Sequence, residues 1–455
     1  PSSRLTRTPH AVSRHRTAAP RSRHRTPPRI IRNRIIAGAL VLGLVTLIAS
    51  AFGLFDRPSD STSAANATTG VTASATGSPS ATPTNAPSEA SPTPTPAAAL
   101  NVYAGATADK LSETVKGHRP LVYVPNTISN SVQVIDPTTY QVIDSFPTGR
   151  EPHHVVPGWD LTTLYVNDTQ GNDLIPIDPV TGKPGAKIPV VDPYNLYFSP
   201  DGKFGLVMAE RFNRIDVVDP HTFAVDHSLP VPCAGVNHAD TDKDRGFFVA
   251  SCEFSGHLIV FDAHATKVLK EIDLNGHDTP GATSPQEAYH SGGAKANLRK
   301  GASAMPQDVR LSPNGKYFLA ADMLRNGVWV IDAASLEFTK FIQTGKGAHS
   351  IYPSRDAKRL FVANRDEGTI SVLDSESLDI LAKWTIPGGG SPDMGGVTAD
   401  GKELWLSGRY HAEVYVFDTE TGGLKHRIKT QAGSHGLLVW PQPGTFSLGH
   451  TGNMR

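Results

Sequence analysis

The chain has 455 residues, about three times the length of an ordinary domain, so it holds either several domains or one large repeat. Its 43 Lys and Arg balance 43 Asp and Glu, but the first 34 residues carry ten Arg and no acid. The rest is therefore net acidic at −10, a poor surface for nucleic acid, and the two cysteines exclude zinc-finger arrays, iron–sulfur proteins and disulfide-built mini-folds.

Residues 1–34 are Arg, Ser, Thr and Pro with almost nothing apolar, and read as a disordered basic arm. Residues 35–55, IIAGALVLGLVTLIASAFGLF, hold no charge. As a helix they would span about 30 Å, the thickness of a bilayer core. The preceding arginines then place the arm in the cytoplasm and the remainder outside, a single-pass arrangement at the cell membrane. The competing reading is a signal peptide cleaved after Ala51, within the Ala49-Ser50-Ala51 pattern, which gives a secreted product. Residues 56–114 read as a linker; 57–99 are nearly all Ser, Thr, Pro, Ala, Gly and Asn, open to O-glycosylation.

From 115 to 455 the sequence repeats. Apolar strands ending in Asp recur as SVQVID (Asp136), DLIPID (Asp178), RIDVVD (Asp219), HLIVFD (Asp262), GVWVID (Asp332), TISVLD (Asp374) and EVYVFD (Asp418). The intervals are 42, 41, 43, 70, 42 and 44 residues; the long one is a normal repeat plus an insertion near 273–303. A second strand precedes most copies (LVYV, TLYV, RLFVAN, ELWL), and turns such as SPDGK and SPNGK precede several of those. Four short strands per repeat predict a seven-bladed, all-β propeller. The first copy lacks an innermost strand, and SHGLLVWP at 434–441 follows the last, so the C-terminal strand is expected to complete blade one. The repeat Asp residues are expected to cap turn amides.

Segments such as RLFVANRDEGTISVLDSESLDILAKWTIPGG and SPDGKFGLVMAERFNRIDVVDP resemble the YVTN-type β-propeller repeats of YncE-like and bacterial surface-layer proteins. The resemblance covers 115–455 and implies the propeller fold. It implies no single activity, since such propellers include binding proteins, haem d1 domains and lactonases.

Propeller geometry puts one residue of each innermost strand at the channel mouth on the top face. Counting back seven residues from the turn Asp or Asn selects His435, His153, Tyr194, Asn237, Gln307, His349 and Asp393, with His154, Asn195, His238, Asp308 and Met394 beside them. His153, His349, Asp393 and His435 fall on four consecutive blades, and three imidazoles with a carboxylate suit a divalent transition metal. The same residues also suit a polar ligand pocket, or histidines that only hydrogen-bond to backbone. The insertion lies on the top face too, where His277, Asp278, Glu287 and His290 are in reach of the channel. Cys233 and Cys252 return to the same face and are expected to bridge if the domain lies outside the membrane.

No G-x-S-x-G, P-loop, H-E-x-x-H or C-x-x-C-H motif is present. The leading reading is a membrane-anchored, monomeric extracytoplasmic propeller that binds a protein, peptide or small ligand at its top face. The runner-up is a metal-dependent enzyme or redox protein centred on the histidine arc.

Overall fold

Each Asp-ended run is the third strand of an antiparallel four-stranded sheet, and seven such sheets are the blades of a propeller. The computed structural model describes residues 100–280 and 297–455. In blade two the strands Pro152–Pro157, Leu164–Asp168, Asp173–Ile177 and Ile188–Pro189 pair in sequence order. The innermost strands of blades three to seven are Pro193–Phe198, Val236–Asp242, Pro306–Leu311, Ala348–Pro353 and Pro392–Val397. Blade one takes its innermost strand, Leu438–Trp440, from the C-terminal region, in the register Leu121↔Trp440, Val122↔Val439 and Tyr123↔Leu438.

Burial falls from the axis outward, as radial packing requires. Pro193–Phe198 and Pro306–Leu311 are buried throughout, whereas the outer strand Ile380–Thr385 keeps only Trp384 inside. Inner strands therefore read as unbroken buried runs and outer strands as mostly solvated ones. The seam between the last and first blades is packed like the others: Trp405, Val414 and Val416 meet Val122, Val124, Ile135 and Val439. Each repeat Asp accepts a hydrogen bond from an amide in the turn that follows, from Thr138 N to Asp136 (2.8 Å) around the ring to Glu420 N to Asp418 (3.1 Å). The other five do the same, to Val180, His221, Thr266, Ala334 and Glu376.

Two segments close the bottom of the ring. The described end of the expected linker packs there: Val102 N donates to Pro313 O (2.9 Å), and the buried Tyr103 hydroxyl donates to Leu311 O (2.9 Å). From the other end of the chain, residues 442–455 return beneath the axis. His450 N bonds to Leu196 O (2.9 Å), and Arg455 pairs with the buried Asp240 (2.7 Å). Gly449 makes that return possible, because its φ is +99° and a Cβ there would lie 2.3 Å from Leu196 O.

The apolar segment 35–55 and the basic arm lie outside the described residues. Among the described residues no helix is long and apolar enough to cross a membrane.

Candidate functional site

A strand alternates its side chains, so His153 and His154 should face opposite ways. They do not, because the innermost strand of blade two slips register between Pro152 and His154. The same irregularity recurs between Pro193 and Asn195, Val236 and Ala239, Pro306 and Val309, Ala348 and Ser350, and Pro392 and Gly395. A bulge adds a residue and re-aims its neighbours. Here it falls at the channel-mouth positions and builds two tiers of side chains around the axis.

The upper tier brings together all four residues of the histidine arc. Asp393 is fully buried; its Oδ2 lies 2.6 Å from His435 Nδ1 and its Oδ1 2.9 Å from His349 Nδ1. Arg365 donates to the same Oδ1 through Nη2 (2.7 Å) and Nε (3.0 Å). His153 stands beside His435, ring centroids 5.3 Å apart, and its Nδ1 bonds to Thr169 Oγ1 (2.8 Å). Burial alone would push the Asp393 carboxyl up. The Arg365 guanidinium, with His349 and His435, overrides this and holds it well below the usual carboxylate range. The arc is therefore an arginine–carboxylate–imidazole network, and a metal on Asp393 would compete with a guanidinium already in place.

Sequence reading missed a second ring of residues. The position after each second strand is fixed in six blades by one repeated bond, in which the backbone N–H of Thr127, Thr169, Glu253, Met323, Arg365 or Arg409 reaches the carbonyl just ahead of the innermost strand (2.8–3.2 Å). Glu210 occupies the equivalent place in blade three, directly after Gly205–Ala209. Blades three and four thus present Glu210 and Glu253, and blades six and seven present Arg365 and Arg409. The signal was available in the sequence as the residue following each second strand.

These groups line a cavity of about 380 Å³ at the mouth, together with His153, Tyr194, Gln307, His349 and His435. Asn237 sits under the acidic wall and donates to Glu253 Oε2 (2.7 Å), while the Gln307 amide turns to Met305 O (3.1 Å). Burial pushes the Glu253 carboxyl up to about 7, against the pull of Arg365 and Arg409. Burial, reinforced by Glu253, raises Glu210 well above its ordinary value. His153 and His435 are held well below theirs, first by burial and then by Arg409.

The lower tier contains His154, His238 and a histidine that repeat counting could not find, His450 of the returning tail. One ring nitrogen of each lies within 4.8 Å of those of the other two. His154 Nδ1 faces Tyr194 O (2.9 Å), and the Nδ1 atoms of His238 and His450 face the Asn195 amide (3.3 and 3.0 Å). Gly436 gives His154 its space, since a Cβ there would lie 2.1 Å from the imidazole. Asp308 lies at the edge, bonded to Arg310 (3.1 Å) and Ile351 N (2.9 Å) and 3.7 Å from His450 Nε2; Met394 is buried in the same belt. Burial lowers His154 to about 3 and His238 and His450 well below the ordinary value, so all three rings are neutral.

Of the insertion, His277 packs on Trp329 and Phe338, away from the axis, so the expected reach over the channel does not hold for it. Glu287 and His290 lie outside the described residues, and Asn297 joins the cavity wall. Cys233 and Cys252 are joined by a disulfide, their Cα atoms 6.0 Å apart.

Seven four-stranded blades around a closed polar axis define a seven-bladed β-propeller. The family model described as YNCE-like beta-propeller matches residues 99–221 and 291–442, and the chain belongs to this family. None of the curated protein sequences is significantly similar to the chain. Among solved structures, a functionally unknown protein from Desulfotomaculum acetoxidans DSM 771 is similar at 14% identity and a TM-score of 0.54, over 70% of this chain and 98% of that one. Hydrazine synthase of Kuenenia stuttgartiensis is similar at 18% identity and a TM-score of 0.50, over 66% of this chain and 92% of that one. At such identities the likeness is one of fold.

Proposed function

We propose that the propeller is a binding scaffold whose top-face cavity takes a small polar ligand carrying an anionic group. The observation that carries this reading is the pair of guanidinium groups at the mouth, Arg365 and Arg409 of blades six and seven, facing the raised carboxyl groups Glu210 and Glu253 of blades three and four, with Arg211 beside Glu210. Arg365 is already paired with Asp393, whereas among the described residues the Arg409 side chain makes one long bond, to Thr127 (3.4 Å), and is the cation assigned to a ligand. A guanidinium facing a half-enclosed cavity recognises carboxylate or phosphate by charge-assisted hydrogen bonds. The bottom of the ring is covered by the tail, so the ligand enters and leaves from the top.

Thermal-shift titration with small carboxylates, amino acids and phosphate esters tests the reading. At least one class should stabilise the protein, and Arg409→Ala should weaken its binding by about tenfold or more, the worth of one charge-assisted bond. No stabilisation by any class, or binding indifferent to Arg409, would sink it.

The arginine arm, the uncharged segment 35–55 and the disulfide support a further component, a ring tethered outside the membrane. Protease protection on fractionated cells tests it, and a wholly cytoplasmic chain would refute it.

A further inference from the structure

The lower tier poses a question that the binding scaffold does not answer. The Nε2 atoms of His154, His238 and His450 are all buried, and among the described residues none has a hydrogen-bond partner, the Asp308 carboxylate standing 3.7 Å from that of His450. Buried polar atoms are normally satisfied, and three unpartnered imidazole nitrogens in one place call for a partner; with Nδ1 of His238 and His450 accepting from the Asn195 amide, their Nε2 atoms carry the ring proton until a ligand displaces it to Nδ1. The rings crowd around one centre, with centroids 5.5 Å apart for His154 and His238, 5.3 Å for His154 and His450, and 5.0 Å for His238 and His450. Their other nitrogens are occupied. His154 Nδ1 faces a backbone carbonyl, which can only accept, so that nitrogen carries the proton and Nε2 presents its lone pair.

We infer that His154, His238 and His450 form a three-imidazole site for a divalent transition metal, one tier below the ligand cavity. Neutral imidazole is a ligand type suited to zinc, copper and nickel, and three protein nitrogens leave a fourth position for another ligand. Ligand nitrogens 2.0–2.1 Å from a tetrahedral ion stand roughly 3.3 Å apart. One ring nitrogen of each histidine lies within 4.8 Å of those of the other two, within reach of that spacing by small ring movements. Ligation through Nε2 also fixes a proton on each Nδ1. Asn195, whose amide nitrogen now faces His238 and His450 while its oxygen takes Leu196 N (3.0 Å), then turns its oxygen to those two rings. The upper tier offers no such site, because Arg365 and His435 already hold Asp393, with His349 Nδ1 2.9 Å away.

The test is titration of the chelator-treated full chain with Co²⁺ and Cu²⁺ alone, read by visible absorption, electron paramagnetic resonance and metal content. One ion per chain is expected, with nitrogen ligation. His238→Gln and His450→Gln should each weaken uptake by more than about 100-fold. Asn195→Leu, which removes the group behind two rings together with its bonds to Leu196 N and the Tyr197 hydroxyl, should weaken it about 10–100-fold. His349→Gln, in the upper tier, should leave uptake unchanged. Circular dichroism establishes that each variant is folded; for any that is not, the count of imidazole nitrogens by X-ray absorption on the loaded parent replaces it, and three are required. No uptake by the parent, uptake indifferent to His238 and His450, or uptake lost with His349 would each overturn the assignment. Because the probe is the metal alone, failure here leaves the cavity reading standing, and failure of the cavity reading leaves this one standing.

Discussion

His153 and His154 are successive residues of one strand, yet they belong to two different chemical settings. The upper tier around His153 is charged: Asp393 is bonded by Arg365 and His435 with His349 Nδ1 2.9 Å away though not aligned for a hydrogen bond, and His153 is held by Thr169. The lower tier around His154 is neutral, and three of its ring nitrogens have no partner. The difference is made by what other elements bring to the same axis. Arg365 arrives from the end of a second strand and supplies a counter-charge above. The returning tail supplies a third imidazole below. Residue type alone therefore does not distinguish an ion-pair network from a ligand set, and the neighbours contributed by distant segments decide it.

The sharpest way to break this contrast is to remove the charge that organises the upper tier. Asp393→Asn leaves the buried Arg365 guanidinium without its counter-ion. A loss of about 3–5 kcal/mol is expected in urea unfolding, the usual consequence of breaking a buried pair from one side. A loss below 1 kcal/mol would mean that the pair is solvated in the native protein.

Gly449→Ala acts on the other tier. The added Cβ meets Leu196 O in a backbone conformation that L residues avoid, so the tail must shift and His450 with it. Destabilisation of about 1–3 kcal/mol is expected. Imidazole NMR signals should change for His154, His238 and His450 but not for His349 and His435. Changes spread evenly over both tiers would show that the two are not independent.

The last effect, which appears only above neutral pH, concerns the wall of Glu210 and Glu253. The Glu253 carboxyl is pushed up from 4.5 to about 7, so the folded protein holds that proton where the unfolded chain releases it. Its contribution to stability is full below pH 4.5 and is lost as pH rises to about 7. Glu253→Gln removes this slope. The variant should match the parent near pH 4 and exceed it by on the order of 3 kcal/mol at pH 8. Parallel stability profiles for the two proteins would show that Glu253 ionises freely in the fold.

The blades were legible because their signal is periodic. An Asp at near-constant spacing, with an apolar run before it and a turn after it, is repeated seven times, and each copy supports the others. The upper-tier positions followed from the same period, counted back from the turns. What escaped was whatever departs from the period. Strand alternation gives no hint that a bulge turns both His153 and His154 to the axis. His450 lies beyond the last repeat, in a segment with no strand pattern, and only its return beneath blade three brings it to His154. Arg365, Arg409, Glu210 and Glu253 do obey the period, but at loop positions where charged residues are ordinarily solvated. Only the closure of the ring turns them toward one another.

The tail beneath the axis is also constrained differently from the blades. A residue on an inner strand is packed between neighbouring blades, so a substitution there must be accommodated on both sides. The tail answers to no repeat, and its seat depends on a few local contacts such as Gly449 against Leu196 and Arg455 against Asp240. A short stretch of sequence can thus exchange the side chain offered at the centre of the ring while all seven blades stay as they are. The chemistry at the centre of the channel is in this sense carried partly by a segment that the repeats do not fix.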